Sequence, residues 1–296
     1  GVRRQGHSDL PWSYTPVAMY QELLAQEGLE IAVIEDNPPM ENIRFGTPGR
    51  EEELEQVLTL IRTMGKLGIP TWCYGWIAGI GWVRTQMATV GRGGAIVAGY
   101  NHAMIDHSEH SAYGTIDADQ LWSNLEWFLE RALPVAEEAG VRLALHPDDP
   151  PIPSVRGIAR VMNTTEGYDR LFDRFDSDAN AMTLCQGNFT LMTDDLPGEI
   201  RRYGAEGKIA FVHFRDVKGT PDNFVETFHD EGQTDMLACM RAYQDVGYDG
   251  VMRSDHVPLM TGDTQTIPGY SDLGRLFSIG YMTGLREAAQ EDGSVG

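Results

Sequence analysis

Positive charge is scarce in this chain. Its 296 residues include 23 lysines and arginines against 44 acidic residues, for a formal charge of −21. That balance excludes nucleic acid and anionic membrane surfaces as partners. An anionic small molecule is still admissible if a local cationic pocket receives it. Cysteine is equally scarce, with Cys73, Cys185 and Cys239 making up the whole set. Three scattered thiols form no disulfide framework and point to a reducing, cytoplasmic setting. No run of about 18 apolar residues occurs, so no membrane span is expected. The opening stretch GVRRQGHSDLPW has no apolar signal core, and no secretory leader is expected. Internal repeats and low-complexity tracts are absent.

What is present is an alternation of strands and helices. The short apolar run LEIAVIE (29–35) is followed by REEELEQVLTLIRTMGKLG (50–68). The latter places Leu54, Val57, Leu58, Ile61, Met64 and Leu67 on one helical face, with Gly68 as a stop. IPTWCYGW (69–76) is strand-like. Residues 116–140 form a second amphipathic helix, with a kink or break expected near Pro134. Further strands are expected at VRLALHP (141–147), AMTLCQG (181–187), KIAFVHFRDV (208–217) and YDGVMRSDH (248–256). Helices are expected at 234–247 and 271–290.

Apolar strands alternating with amphipathic helices indicate a parallel sheet covered by helices. At this length the expectation is an α/β fold, a single-domain (β/α)8 TIM barrel over residues 1–296, ahead of a doubly wound open sheet. Six strands are legible where a closed barrel needs eight. Early strands are therefore either irregular or missing at the N-terminus of this chain. The segment 77–115 is long, Gly-rich and weakly periodic, and is expected to be a lid or a contact between subunits. His102, His107 and His110 fall in it and are expected to be solvated loop residues.

The chemistry concentrates at strand ends. His146 ends VRLALH, Cys185 ends AMTLC, His213 ends IAFVH and Asp255 ends GVMRSD. Each has an ordinary role when taken singly: a hydrogen-bonded imidazole, a small hydrophobe, a helix cap. Together, four ligand-type side chains at four consecutive strand ends point to one shared divalent cation. Thiolate and imidazole by themselves favour zinc. His256 and Tyr270 stand nearby as candidates for proton transfer, the phenol having a lowered pKa if it lies near a cation. Arg84, in GWVRT, is a candidate clamp for a substrate carboxylate. Asp148 and Asp149 would orient His146, bind substrate hydroxyls or cap the proline-rich turn.

At these residues the chain resembles the mannonate dehydratases, metal-dependent sugar-acid lyases of the xylose-isomerase-like barrel group. The matching stretches are LHPDDPP, TLCQGN, VHFRDV, ETFHDEGQTDM, RSDHV and PGYSDLGRLFSIGYMTGL, in order, from about residue 28 onward. The resemblance implies dehydration of D-mannonate to 2-keto-3-deoxy-D-gluconate, within glucuronate catabolism. It implies Mn(II) or Fe(II) in place of zinc. It matches the metal ligands to His146, Cys185, His213 and Asp255, and the proton-transfer pair to His256 and Tyr270.

The chain also departs from that pattern. An RWYG-like first strand is not found, DWTRT reads GWVRT with Gly81, HPDDPPRP reads HPDDPPIP with Ile152, and RPDH reads RSDH. The metal shell is kept and the substrate shell altered, which leaves a different sugar acid open. A metal-dependent isomerase or epimerase on the same fold and a non-catalytic sugar-binding relative are the competing readings. The expected partners are a small sugar-acid substrate and further copies of the chain in a homo-oligomer.

Overall fold

Helix α1 (Tyr14–Ala25) precedes strand β1 (Val33–Ile34) in the structure, a computed structural model that describes residues 10–109 and 111–293. A short helix, α2 (Glu41–Phe45), and the amphipathic α3 (Arg50–Leu67) lead into β2 (Thr71–Gly75). The apolar stripe of α3 is its buried face, with Leu54, Val57, Leu58, Ile61 and Met64 covered. Three glutamates occupy its first turn, where the helix dipole favours negative charge. Gly68 ends it at φ 70°, a left-handed conformation that glycine adopts without a Cβ clash.

The segment 77–115, expected to be irregular, contains β3 (Gln86–Val90) and β4 (Ile96–Asn101). Helix α4 (Ala118–Ala139) follows and runs unbroken through Pro134, where a kink or break was expected. Its buried Leu125, Phe128, Leu129, Ala132, Leu133 and Ala136 explain this. Each large apolar side chain contributes about 1.5–3 kcal/mol on burial, and together they outweigh the roughly 3 kcal/mol that an interior proline costs. Next come β5 (Arg142–His146), the two-residue strands β6 (Ser154–Val155) and β7 (Ile158–Ala159), α5 (Thr165–Arg174) and β8 (Asn180–Cys185). Helices α6 (Gln186–Met192) and α7 (Leu196–Ala205) lead to β9 (Ile209–Phe214) and the hairpin β10 (Val217–Thr220) and β11 (Asn223–Glu226). The chain closes with α8 (Met236–Asp245), β12 (Val251–Ser254) and α9 (Asp272–Gly293).

The six apolar runs read from the sequence form one parallel six-stranded sheet, in the order β1-β2-β5-β8-β9-β12. Among the described residues no ladder joins β1 to β12. The sheet nevertheless curls until its two edges face each other. Glu35, just after β1, forms an ion pair with Arg253 of β12, and both strands line one groove of about 680 Å³. The result is a nearly closed barrel wrapped by helices. Its main core draws on residues from Val17 to Ala289.

A second, antiparallel sheet of order β10-β11-β4-β3 takes in two strands of the segment 77–115. β4 pairs with β11, Tyr100 opposite Phe224. Partners so distant in sequence leave no local signal, and β3 is mostly exposed and so lacks an apolar run. Tyr100, Ile152, Val155, Leu191, Val217 and Phe224 form a small core of their own beneath it. No helix among the described residues is long and apolar enough to cross a membrane.

Candidate metal and catalytic site

Parallel strands all finish on one rim of a barrel, so residues at their C-terminal ends converge. His146 is the last residue of β5 and Cys185 the last of β8; His213 is the penultimate residue of β9, and Asp255 follows β12. Register brings them level, because Cys185 pairs with His213 and His213 with Arg253. His146 Nε2 lies 3.2 Å from His213 Nδ1. His213 Nδ1 lies 3.6 Å from Asp255 Oδ2. The ligand-type atoms of His146, Cys185 and His213 all lie within 4.8 Å of one another. Arg215 completes the ring, its Nε 3.2 Å from Cys185 Sγ and 3.2 Å from Asp255 Oδ2. The four residues singled out in the sequence are thus neighbours in space.

Their chemistry fits a divalent cation. Two nitrogens bound to one ion at about 2.1 Å lie roughly 3.0–3.4 Å apart, which matches the imidazole pair. A thiolate at Cys185 and a carboxylate at Asp255 would balance two positive charges. Burial pushes His146 below the usual imidazole range, which keeps its ring neutral and able to donate a lone pair. Burial alone would raise Asp255, but His256, His213, Arg253 and Arg215 outweigh it and hold its carboxyl well below the usual range. The buried Nε2 of His213 has no hydrogen-bond partner. Glu35, Cys73 and His213 make a second group of potential ligands that shares His213. Burial drives the Cys73 thiol well above its usual range, against the Thr183 hydroxyl, which donates to its sulfur at 3.1 Å.

His256 and Tyr270 sit beside this cluster. Their rings meet edge to face at 5.9 Å. His256 directly follows Asp255; its backbone lies at φ 43°, a conformation uncommon outside glycine, and its Nε2 stays 3.8 Å from Asp255 Oδ2. Glu226 Oε1 lies 2.9 Å from His256 Nδ1, a contact that leaves Nε2 available for proton transfer. Trp82 packs edge-on against the same imidazole at 5.3 Å. Tyr270 is half-exposed. Burial first, and Asp255 second, push its phenol up to about 12.

Arg84, Asp148 and Asp149 form a buried polar wall. Arg84 donates to both carboxylate oxygens of Asp149, at 2.5 and 2.9 Å, and to Glu226 at 2.5 Å. Its Nη2 is 3.4 Å from His256 Nδ1. Arg215 donates to the same two carboxylates and to Asn188. Burial would raise Glu226, but Arg215 and Arg84 hold it down at about 2; Asp149 is lowered by the same pair. Asp148 accepts from the Met162 amide at 2.7 Å, and burial raises its carboxyl to about 6.

Glu35, Arg215, Glu226 and Arg253 were not singled out in the sequence. Glu35 carried the same signal as the others, a ligand-type side chain at the end of the apolar run LEIAVIE. An arginine inside the buried run IAFVHFRDV was a signal for Arg215. Glu226 and Arg253 open the stretches ETFHDEGQTDM and RSDHV that carry the family resemblance. Of the loop histidines, the rings of His102 and His107 lie 4.8 Å apart and belong to neither ligand group. His110 lies outside the described residues.

Known proteins share both sequence and fold with this chain. The family model of D-mannonate dehydratase (UxuA) matches residues 4–112 and 107–294. Mannonate dehydratase of Thermotoga neapolitana is 31% identical over 312 residues, covering 94% of this chain and 86% of its own. The crystal structure of mannonate dehydratase from Streptococcus suis serotype 2 superposes with a TM-score of 0.90 at 30% identity, over 97% of this chain and 85% of that one. A xylose isomerase-like TIM barrel protein from Mycobacterium smegmatis superposes with a TM-score of 0.60 at 14% identity, over 94% of this chain and 79% of that one, a likeness of fold alone. With sequence and barrel architecture matched along nearly its whole length, the chain belongs to the mannonate dehydratase family.

Proposed function

We propose that this chain is a metal-dependent hydro-lyase that converts D-mannonate to 2-keto-3-deoxy-D-gluconate and water. The observation that carries this reading is the meeting of His146, Cys185, His213 and Asp255 on one rim, beside an imidazole–phenol pair. Those four residues would hold one divalent ion, Mn(II) or Fe(II). When bound, the ion supplies a Lewis acid that stabilises negative charge on substrate oxygens.

The protein's own groups move the protons. One of His256 and Tyr270 removes the proton on C2, next to the carboxylate. The electron pair of that C–H bond becomes the C2–C3 double bond, and the C3–O bond breaks. The other member of the pair protonates the departing hydroxyl, which leaves as water. The resulting enol takes a proton at C3 as its C2 hydroxyl gives up its own, the C2–O bond becoming the carbonyl of the 2-keto-3-deoxy acid. Positioned acid–base groups of this kind contribute about 10²–10⁴-fold in rate. Glu226 holds His256 through Nδ1. Substrate contact is assigned to the wall of Arg84, Asp148 and Asp149, which meets His256 through Arg84.

The setting is a reducing cytoplasm, in keeping with three unpaired thiols. The segment 77–115 serves as a lid or as a contact between copies in a homo-oligomer. The deciding experiment incubates the Mn(II)- or Fe(II)-loaded protein with D-mannonate and a panel of other aldonates. Appearance of a 2-keto-3-deoxy acid from D-mannonate is the expected result. A rearranged sugar acid with no loss of water would replace this reading with an isomerase or epimerase.

A further inference from the structure

His213 is the residue through which the two potential ligand groups are joined. It is buried, and its two ring nitrogens face different surroundings. Nδ1 faces His146 and Asp255, at 3.2 and 3.6 Å. Nε2 faces Glu35 Oε2 at 3.4 Å. A ligating imidazole commonly gives its second N–H to a carboxylate, which sets the tautomer and the ring orientation. Glu35 stands where such a carboxylate would be.

Glu35 is itself held. Arg253 donates through Nη1 to Glu35 and through Nη2 to Asp255 Oδ1 at 2.5 Å. One guanidinium therefore spans from the end of β1 to the end of β12, the two strands with no ladder between them. We infer that Glu35 is a positioning residue: its Oε2, 3.4 Å away, is the acceptor toward which the otherwise unpartnered Nε2 of His213 is aimed, while Arg253 ties it to Asp255, so that His213 Nδ1 and the Asp255 carboxylate are turned toward one ion. This inference rests on the metal-site reading above. It adds that the open edge of the barrel is bridged by an ion pair whose task is to aim two ligands.

The test is a Mn(II) titration of the full chain, read by the electron paramagnetic resonance of the free ion. It compares the native protein with Glu35→Leu, Glu35→Gln and Cys185→Ser. Glu35→Leu removes the acceptor and weakens Mn(II) binding about 10–100-fold. Glu35→Gln keeps an acceptor oxygen but loses the charge that pairs with Arg253, and falls between the native protein and Glu35→Leu in affinity; an affinity as low as that of Glu35→Leu would reduce the role to charge alone and overturn the inference. Nitrogen shifts of labelled histidine report the His213 tautomer, with the proton on Nε2 in the native chain. Native affinity in Glu35→Leu, together with loss of binding in Cys185→Ser, overturns this inference and leaves the metal reading standing. Unchanged binding in Cys185→Ser overturns both. Two bound ions in the native chain and one in Glu35→Leu would make Glu35 a ligand of a second ion, and would also overturn it.

Discussion

Cys185 and His213 are direct partners in the ladder between β8 and β9. Residues paired across adjacent parallel strands point to the same side of the sheet, so a thiol and an imidazole far apart in the chain share one surface by register alone. Neither needs a loop to reach the other, and both are buried.

Replacing either of them tests the ion. Cys185→Ser and His213→Ala should lose bound Mn(II) and dehydratase activity together. In the native chain, Mn(II) at about 100 times its dissociation constant adds about 2.7 kcal/mol of stability. Thermal melts with and without the metal should separate in the native protein and coincide in both variants. A metal-dependent rise in Tm in either variant would contradict the assignment.

Tyr270→Phe removes the phenol and keeps the ring that packs on His256. The expected outcome is a fall in kcat of about 10²–10⁴-fold with Mn(II) affinity unchanged. Unaltered turnover in this variant would exclude Tyr270 from proton transfer.

Glu226 is paired with two buried arginines and with His256. Glu226→Ala leaves those charges short of a partner, and breaking a buried pair costs about 3–5 kcal/mol. Urea unfolding measures this directly. The pH dependence follows from the same contacts. The carboxyl falls from an ordinary value of 4.5 to about 2 on folding. A depressed carboxyl contributes stability above its unfolded pKa and loses it as pH falls through the folded one. The native chain should therefore lose stability between about pH 4.5 and 2, and that portion of the loss should be missing in Glu226→Gln.

Ile152 stands where the family resemblance places an arginine. Here it is 6% exposed and packs with Tyr100, Val155 and Phe224. Ile152→Arg would bury a charge in an apolar cluster and cost about 2–4 kcal/mol. Unfolding midpoints test this, and an unshifted midpoint would show that the position reaches solvent.

The parts legible in the sequence were those with a local physical cause. The four inner strands β2, β5, β8 and β9 are apolar runs because they are buried on both faces, the edge strands β1 and β12 are only partly covered, and α3 and α4 show stripes where one face meets the core. The ligand set was legible because His146, Cys185, His213 and Asp255 terminate such runs. Helices α5 and α7 have short apolar faces of three buried residues each that give little periodic signal, and β3, mostly exposed, gives none. The pairing of Tyr100 with Phe224 depends on a hairpin more than a hundred residues downstream, so no window of sequence contains it.

The amino-acid sequence alone determined the alternation of strands and helices, and with it the rim on which the reactive side chains emerge, because hydrophobic periodicity is a property of neighbouring residues. Only the tertiary structure decided how those side chains are aimed. The curl of the sheet carries Glu35 to Arg253, and packing around Arg84 and Arg215 draws Asp149 and Glu226 between them. Such contacts join residues distant in the chain; the Arg84 and Arg215 pairs also draw strength from excluding water, which occurs only once the fold has packed around them.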